Sequence, residues 1–267
     1  MTTPPQTKPL KLTILQSAMR AVGALMLREM ITRYGRTPGG FVWALLEPLG
    51  MIIILGFAFS LLARNPQLGT SFLLFKATGF LILQLFNGLS RQIGNALSFS
   101  KSLLKYPRVT WGDAILARFI LNSLVVTTVT IVIISGIIIF EQLDVVIDWT
   151  SVIAAMILTA LLGFGVGTLN CFLFMRFPVW QQIWGILTGP LFIISGVILL
   201  YEEMPTFAQS ILWYNPVLHL TGIMREGFYP LYRPEYISFQ FVWFTILIPL
   251  VAGLLLLRRY HRELLNR

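Results

Sequence analysis

The chain has 267 residues, 56% of them hydrophobic and only 12% charged, with a formal net charge of +9. A water-soluble domain carries about a quarter charged residues. One soluble core cannot absorb this much apolar surface, so the composition predicts a polytopic membrane protein. The basic residues sit beside the apolar runs, which fits membrane anchoring and orientation better than nucleic-acid binding. The single Cys171 lies in an apolar run and offers neither a disulfide partner nor a metal cluster.

Residues 1–10 are polar and contain prolines, with no short apolar core before a small-residue cleavage site, so no cleaved signal peptide is expected. Leu12, Leu15, Met19, Val22, Met26 and Met30 follow at helical spacing, with Thr13, Ser17, Arg20, Ala24 and Arg28 opposite. The pattern predicts an amphipathic helix along the cytoplasmic interface; a soluble docking helix is the alternative. Arg28, Glu29, Arg33 and Arg36 then give way at Thr37-Pro38-Gly39-Gly40 to an apolar run. Glu47-Pro48 lies inside that run, where a carboxylate is expensive and a proline removes a backbone donor. Pairing of Glu47 with Arg28, Arg33 or Arg36 at the interface is its expected structural role.

Six spans of roughly 20 residues fit the length: 40–62, 71–96, 113–140, 151–175, 183–200 and 241–257. The fifth is interrupted by Gly189-Pro190 and Gly196, and Lys76 and Arg91 lie near the ends of the second, where both can snorkel to water. The connections at 98–111 and 176–182 and the tail at 258–267 carry most of the remaining Lys and Arg. The loop at 141–150 carries Glu141, Asp144 and Asp148 and no base. This asymmetry predicts both termini on the cytoplasmic side. The expected organisation is one all-α permease domain over 1–267, with a tail and interface helix at 1–39.

Residues 201–240 are too many for a turn and too apolar for an open loop. Two helical pieces, each roughly 20 Å long, flank Asn215-Pro216 and fall short of the ~30 Å hydrocarbon core. They predict a helical hairpin re-entering the membrane from the periplasmic side; two short surface helices are the alternative. Asn215, Pro216, His219, Arg225 and Glu226 would form this outer gate, with Arg225 and Glu226 near the outer surface, within reach of an adaptor.

The chain has no G-x-x-x-x-G-K-[ST] phosphate loop, no H-E-x-x-H pair and no G-x-S-x-G elbow. Neither a catalytic residue nor a metal site is predicted. A long sugar chain needs a wet, weakly adhesive conduit, and Phe57, Phe86, Trp184, Trp213, Tyr214 and Tyr232 are candidate lining residues. An interfacial aromatic belt is the alternative use of such residues.

The run Arg28-Glu29, Arg33-Tyr34, Gly39-Gly40, Trp43 and Leu46-Glu47-Pro48 resembles the start of ABC exporter permeases for cell-surface polysaccharides. The loop ending Lys105-Tyr106-Pro107-Arg108 resembles that family's link between spans two and three. Asn215-Pro216 with His219 and Arg225-Glu226 resembles the segment before its last span. The Glu-Pro and the Thr32–Arg36 run are most similar to capsular polysaccharide permeases of the KpsM type. Pro38-Gly39-Gly40-Phe41 departs from a Leu-Gly pair common in relatives, which bears on local helix geometry.

The resemblance implies two copies of the chain with two ATP-binding subunits that hold ATP and Mg, moving a lipid-linked polysaccharide across the bacterial inner membrane. It also implies a periplasmic adaptor and an outer-membrane channel. Lys101, Leu103, Leu104, Lys105, Tyr106, Arg108 and Trp180 are then expected to couple to the ATPases. Arg28, Arg33 and Arg36 would meet a phosphate-bearing lipid headgroup or, in the blander reading, anionic bilayer lipid. Export of O-antigen, teichoic acid or a small drug remains an alternative, as do a membrane-embedded glycosyltransferase and a non-transporting scaffold.

Overall fold

The computed structural model describes residues 14–34, 39–105 and 109–266, and among them every regular element is helical. Five helices are long and apolar enough to cross a membrane: α2 (Gly40–Leu62), α3 (Phe72–Gly94), α5 (Trp111–Phe140), α6 (Trp149–Arg176) and α11 (Phe239–Asn266, its apolar part ending at Leu265). At about 1.5 Å per residue, the shortest reaches about 34 Å, more than the hydrocarbon core requires. Shorter helices fill the rest: α1 (Ile14–Tyr34), α4 (Ala96–Ser100), α7 (Pro178–Thr188), α8 (Leu191–Ile194), α9 (Thr206–Leu212) and α10 (Pro216–Phe228).

The sequence makes these boundaries in recognisable ways. Thr110 caps α5 through the Asp113 N–H while the Asp113 carboxylate accepts from the Thr110 N–H, a reciprocal box that fixes the start of the helix. Asp148 accepts from the Thr150 N–H to start α6. Pro48 and Pro249 sit inside α2 and α11 without ending them. The predicted loop at 176–182 shrinks to Phe177, because Pro178 occupies the first position of α7, where its missing N–H costs nothing. Pro190 then prevents a continuous fifth span. That stretch becomes α7, too short at 11 residues to cross alone, followed by α8 and a non-helical turn with Gly196 at φ 75°.

α3 and α6 are the central pair, and α10 and α11 pack on α6. α6 and α11 approach so closely that a Cβ on Gly253 would lie 2.6 Å from the Leu169 backbone nitrogen. Small residues that let backbones touch are the usual basis of helix association where no water drives it. The main core runs along α3, α5, α6 and α10 through Leu81, Phe86, Ile133, Leu162, Val217 and Met224, and a second cluster beside it includes Cys171. α2 is mostly exposed along its length, as is α7.

The helices define two ends. The near end carries α1, α4, Phe177 and the C-terminus of α11. Arg176 lies 3.8 Å from Glu263, and Trp111 and His261 are in ring contact. The far end carries residues 63–71, 141–148 and 195–238. There the Asp148 N–H donates to the Gly227 carbonyl, tying α10 to the start of α6.

α1 differs from its predicted face. It packs on α5 through Val22, Leu25, Met26 and the buried Glu29, whereas Met19, Leu27 and Ile31 are exposed on another side. It therefore has two apolar sides, one against the protein and one exposed. Glu47 is exposed, and it forms no ion pair with Arg28; Arg36 and the Arg33 side chain lie outside the described residues. Lys76 does not snorkel: it is 2% exposed, held by the Ile198 carbonyl and two aromatic rings.

Candidate functional site

At the near end, α1, α3, α4 and α5 enclose an open polar cleft of about 530 Å³, lined by Glu29, Thr32, Gln92, Asn95, Phe99 and Arg118. Its centre is a buried ion pair, Arg118 Nε to Glu29 Oε2 at 3.2 Å. Arg118 also donates from Nη1 to the Gln92 carbonyl at 2.6 Å and stacks 4.6 Å from the Phe99 ring centroid. Arg28, the one predicted headgroup residue with a described side chain, lies 5.4 Å from the same ring. It therefore stands beside the cleft rather than beside Glu47. Arg118 is the candidate-site residue that sequence reading passed over. A lone arginine near the start of a span reads as a boundary charge, and only the fold puts Glu29 against it.

The predicted coupling residues divide. Leu103 and Leu104 are half-buried and pack toward Leu25, Ala114 and Ala117. Trp180 donates from Nε1 to the Asn170 side chain at 3.1 Å and is also half-buried. Lys101 is half-buried; Tyr106, Arg108 and the Lys105 side chain lie outside the described residues. Within the two connections, the exposed large apolar side chains are instead Phe99, Phe177 and Val179, at 44%, 55% and 63%.

At the far end, residues 201–240 contain the short helices α9 and α10, separated by a break at Trp213–Asn215. Asn215 is buried and fixes that break three ways. Its Oδ1 caps the Val217 N–H, while Nδ2 donates to the Ile194 carbonyl and the Ser195 hydroxyl at 3.1 and 2.9 Å. His219 is buried and its tautomer follows from its neighbours. The Ser238 N–H donates to Nδ1 at 3.2 Å, so Nδ1 carries no proton and Nε2 donates to the Trp213 carbonyl at 2.7 Å. Burial holds the imidazole below its ordinary pKa. Trp213, Tyr236 and Phe241 pack around it, and burial pushes the Tyr236 phenol up to about 12. One neutral histidine thus joins the break between α9 and α10 to the start of α11.

Arg225 is not near the outer surface as the sequence suggested. It is 2% exposed, with its guanidinium 4.1 Å from the Phe75 centroid; Glu226 is half-buried. The turn of α10 that carries Arg225 packs against α3 and α6, which buries the side chain. The candidate lining aromatics do not converge on one surface. Phe86 is packed in the core at 4% exposure and cannot face a path in this conformation. Trp184 packs beside that core from α7, Phe57 and Tyr214 are exposed, Trp213 joins the cluster around His219, and Tyr232 donates to Glu202 at 3.2 Å. Among the described residues no cluster could hold a metal ion.

Residues 20–229 match the family described as ABC-2 type transporter. The chain belongs to the ABC-2 type transporter family. Within it, the chain is 30% identical over 232 residues to the capsule polysaccharide export inner-membrane protein CtrC of Neisseria meningitidis serogroup B, covering 87% of this chain and 86% of that protein. It is 28% identical over 243 residues to the capsule polysaccharide export inner-membrane protein BexB of Haemophilus influenzae, covering 91% and 92%. It is also 28% identical over 245 residues to the polysialic acid transport protein KpsM of Escherichia coli, covering 92% and 95%. The match to the ABC-2 family begins within α1 and runs through the end of α10, so the polar cleft and both α9 and α10 lie within it.

Proposed function

We propose that this ABC-2 permease is the membrane-spanning subunit of an inner-membrane exporter that moves a lipid-linked capsular polysaccharide outward. The observation that carries the reading is the similarity to capsule export proteins along nearly their whole length. The chain itself carries no phosphate loop, so ATP and Mg belong to two partner ATPases, and two copies of the chain complete the transmembrane part. A periplasmic adaptor and an outer-membrane channel complete the route. The near end is cytoplasmic, following the distribution of basic residues. On this reading the broken stretch of α7 and α8 is the fifth of six crossings, because it leads from Phe177 at the near end to Ile198 at the far end. α1 lies in the interface plane, and α9 with α10 re-enters from outside.

The polar cleft is the proposed headgroup station, with Arg28 supplying positive charge, the Glu29–Arg118 pair a polar floor and Phe99 a flat apolar wall. Sugars and phosphates both suit such a mixture. Phe99, Phe177 and Val179 are the apolar contacts offered to the ATPases, with Lys101 beside them. Deleting the gene tests the reading: the capsular glycan should vanish from the cell surface, accumulate inside, and return on complementation. An unchanged surface glycan would sink it. Purifying the tagged chain should bring down a soluble ATPase.

A further inference from the structure

Two cations are buried at the far end with no carboxylate against them. Lys76 on α3 and Arg225 on α10 are each 2% exposed. Lys76 Nζ donates to the Ile198 carbonyl at 2.7 Å and stands 3.7 Å from the Phe59 ring centroid. The two cations share a second ring: Phe75 lies 4.1 Å from the Arg225 guanidinium and 4.9 Å from the Lys76 ammonium. Nε and Nη2 of Arg225 meet no acceptor, and neither cation forms an ion pair among the described residues. The acids whose charge reaches them, Glu202 and Glu203, are exposed and engaged elsewhere, Glu202 by the Tyr232 hydroxyl and Glu203 by the Gln67 amide.

The fold makes room for this guanidinium. A Cβ on Gly79 would lie 3.2 Å from Nη2, and one on Gly196 would lie 3.5 Å from Nη1. Aromatic faces compensate a desolvated cation only in part, and a buried charge lacking a partner is costly. We propose that Lys76 and Arg225 form a binding site for the carboxylates of an acidic polymer leaving the protein, so that the outer gate favours anionic glycans. This rests on the polysaccharide-export reading above.

The geometry supplies the donors, beneath a segment that must shift to expose them: Ser195 and Val197 are buried, and Ser195 is held by Asn215 and Thr221. Arg225 offers two free N–H groups, the kind of fork a carboxylate engages. The Ile198 carbonyl occupies the acceptor position on Lys76 that a polymer oxygen would take. That carbonyl belongs to residues 195–203, which lie over Gly79 and Arg225 and lead into α9, a helix with no buried residue. Displacing this segment exposes both cations together. The rings compete with the anion for each cation and keep the hold weak, as passage requires binding that also releases. A lipid phosphate is a poorer fit, because both side chains lie beneath the covering segment rather than on the rim.

The test uses the complete transporter with its ATPase in phosphatidylcholine nanodiscs, turning over ATP, and two fluorescent oligosaccharides of equal length: a sialic acid oligomer and a neutral dextran oligomer. Lys76→Gln and Arg225→Gln should each weaken binding of the acidic oligomer by at least about tenfold, the loss of one charge-assisted hydrogen bond. Neutral binding should stay unchanged, and Arg225→Lys should keep most of the acidic affinity. If Arg225→Gln fails to assemble, Lys76→Gln decides, since it loses only a carbonyl bond and two ring contacts. Wild-type acidic affinity in Lys76→Gln overturns the site. So does an equal loss for both oligomers, and so does displacement of the acidic oligomer by added phosphatidylglycerol, which would assign the cations to lipid. A wild-type complex that binds neither oligomer overturns the export reading itself, and the site with it.

Discussion

The Glu29–Arg118 pair at the near end yields a graded prediction. The two side chains are 7% and 5% exposed and 3.2 Å apart. Breaking a buried pair by removing one partner costs about 3–5 kcal/mol, because it strands a charge, whereas replacing both by apolar side chains is often neutral. The structure further predicts an asymmetry. After Glu29→Gln, Arg118 keeps the Gln92 carbonyl and the Phe99 ring, which places the cost at the low end, about 3 kcal/mol. After Arg118→Gln, the buried Glu29 carboxylate loses its ionic partner, so the cost falls at the high end, about 5 kcal/mol. The double variant Glu29→Met with Arg118→Leu should return to within about 1.5 kcal/mol of wild type. At about 2–4 °C per kcal/mol for chains approaching this size, Arg118→Gln should lower the thermal midpoint of the detergent-purified protein by roughly 10–20 °C. Loss of the monodisperse peak on size-exclusion after heating reads this directly. Two single variants within about 2 °C of wild type, or a double variant worse than either single, would refute the reasoning.

Three further outcomes follow from the packing. Gly253→Leu should prevent accumulation of the protein in the membrane, because α6 has backbone where the new side chain must go; Gly253→Ala should cost about 1–3 kcal/mol, read as a lowered midpoint. The His219 imidazole has its pKa depressed by burial, so its neutral form stabilises the α9–α10 segment above its ordinary pKa of about 6.5, and that stability is lost as pH falls through the depressed value. Single cysteines at Trp213 or Leu218, with Cys171 replaced, should be protected from an impermeant thiol reagent at pH 7.5 and gain labelling in acid, while His219→Gln should flatten the profile. Val179→Asp should leave the thermal midpoint unchanged but abolish co-purification of the ATPase, whereas Leu104→Asp should lower the midpoint, because Leu104 packs inward; the reverse pattern would restore Leu104 as the coupling contact.

The fold was legible where one residue acts on its own neighbours. Apolar runs gave the long helices, Pro190 broke the fifth, and Asn215-Pro216 separated α9 from α10, because each of these effects is local. The capping box of Thr110 and Asp113 was equally local and would have moved the start of the third span back to Trp111. Legibility ended where a residue's role depends on a distant element. α1 was assigned one apolar face from spacing alone, yet Leu25 and Glu29 face α5 and the Met19, Leu27, Ile31 side is left over. Leu103 and Leu104 looked like exposed apolar contacts because no periodicity marks a short turn as folded back on its own protein.

The three buried cations show why charge is the least legible feature in an apolar chain. Lys76, Arg118 and Arg225 each lie within or beside an apolar run, where the economical reading is a side chain reaching for water at the boundary. Each is instead desolvated against a ring, Phe75 or Phe99. The two ends then differ. At the near end a carboxylate completes the arrangement, and Arg118 is neutralised. At the far end the same ring stacking recurs with two cations and no paired acid, although Glu202 and Glu203 stand close enough to act on them electrostatically. Stability alone would favour the near-end solution, or an apolar side chain in place of either cation. A surplus of buried positive charge makes physical sense if its counter-charge arrives from outside and leaves again, and for an outward-facing gate the passing polymer can bring it.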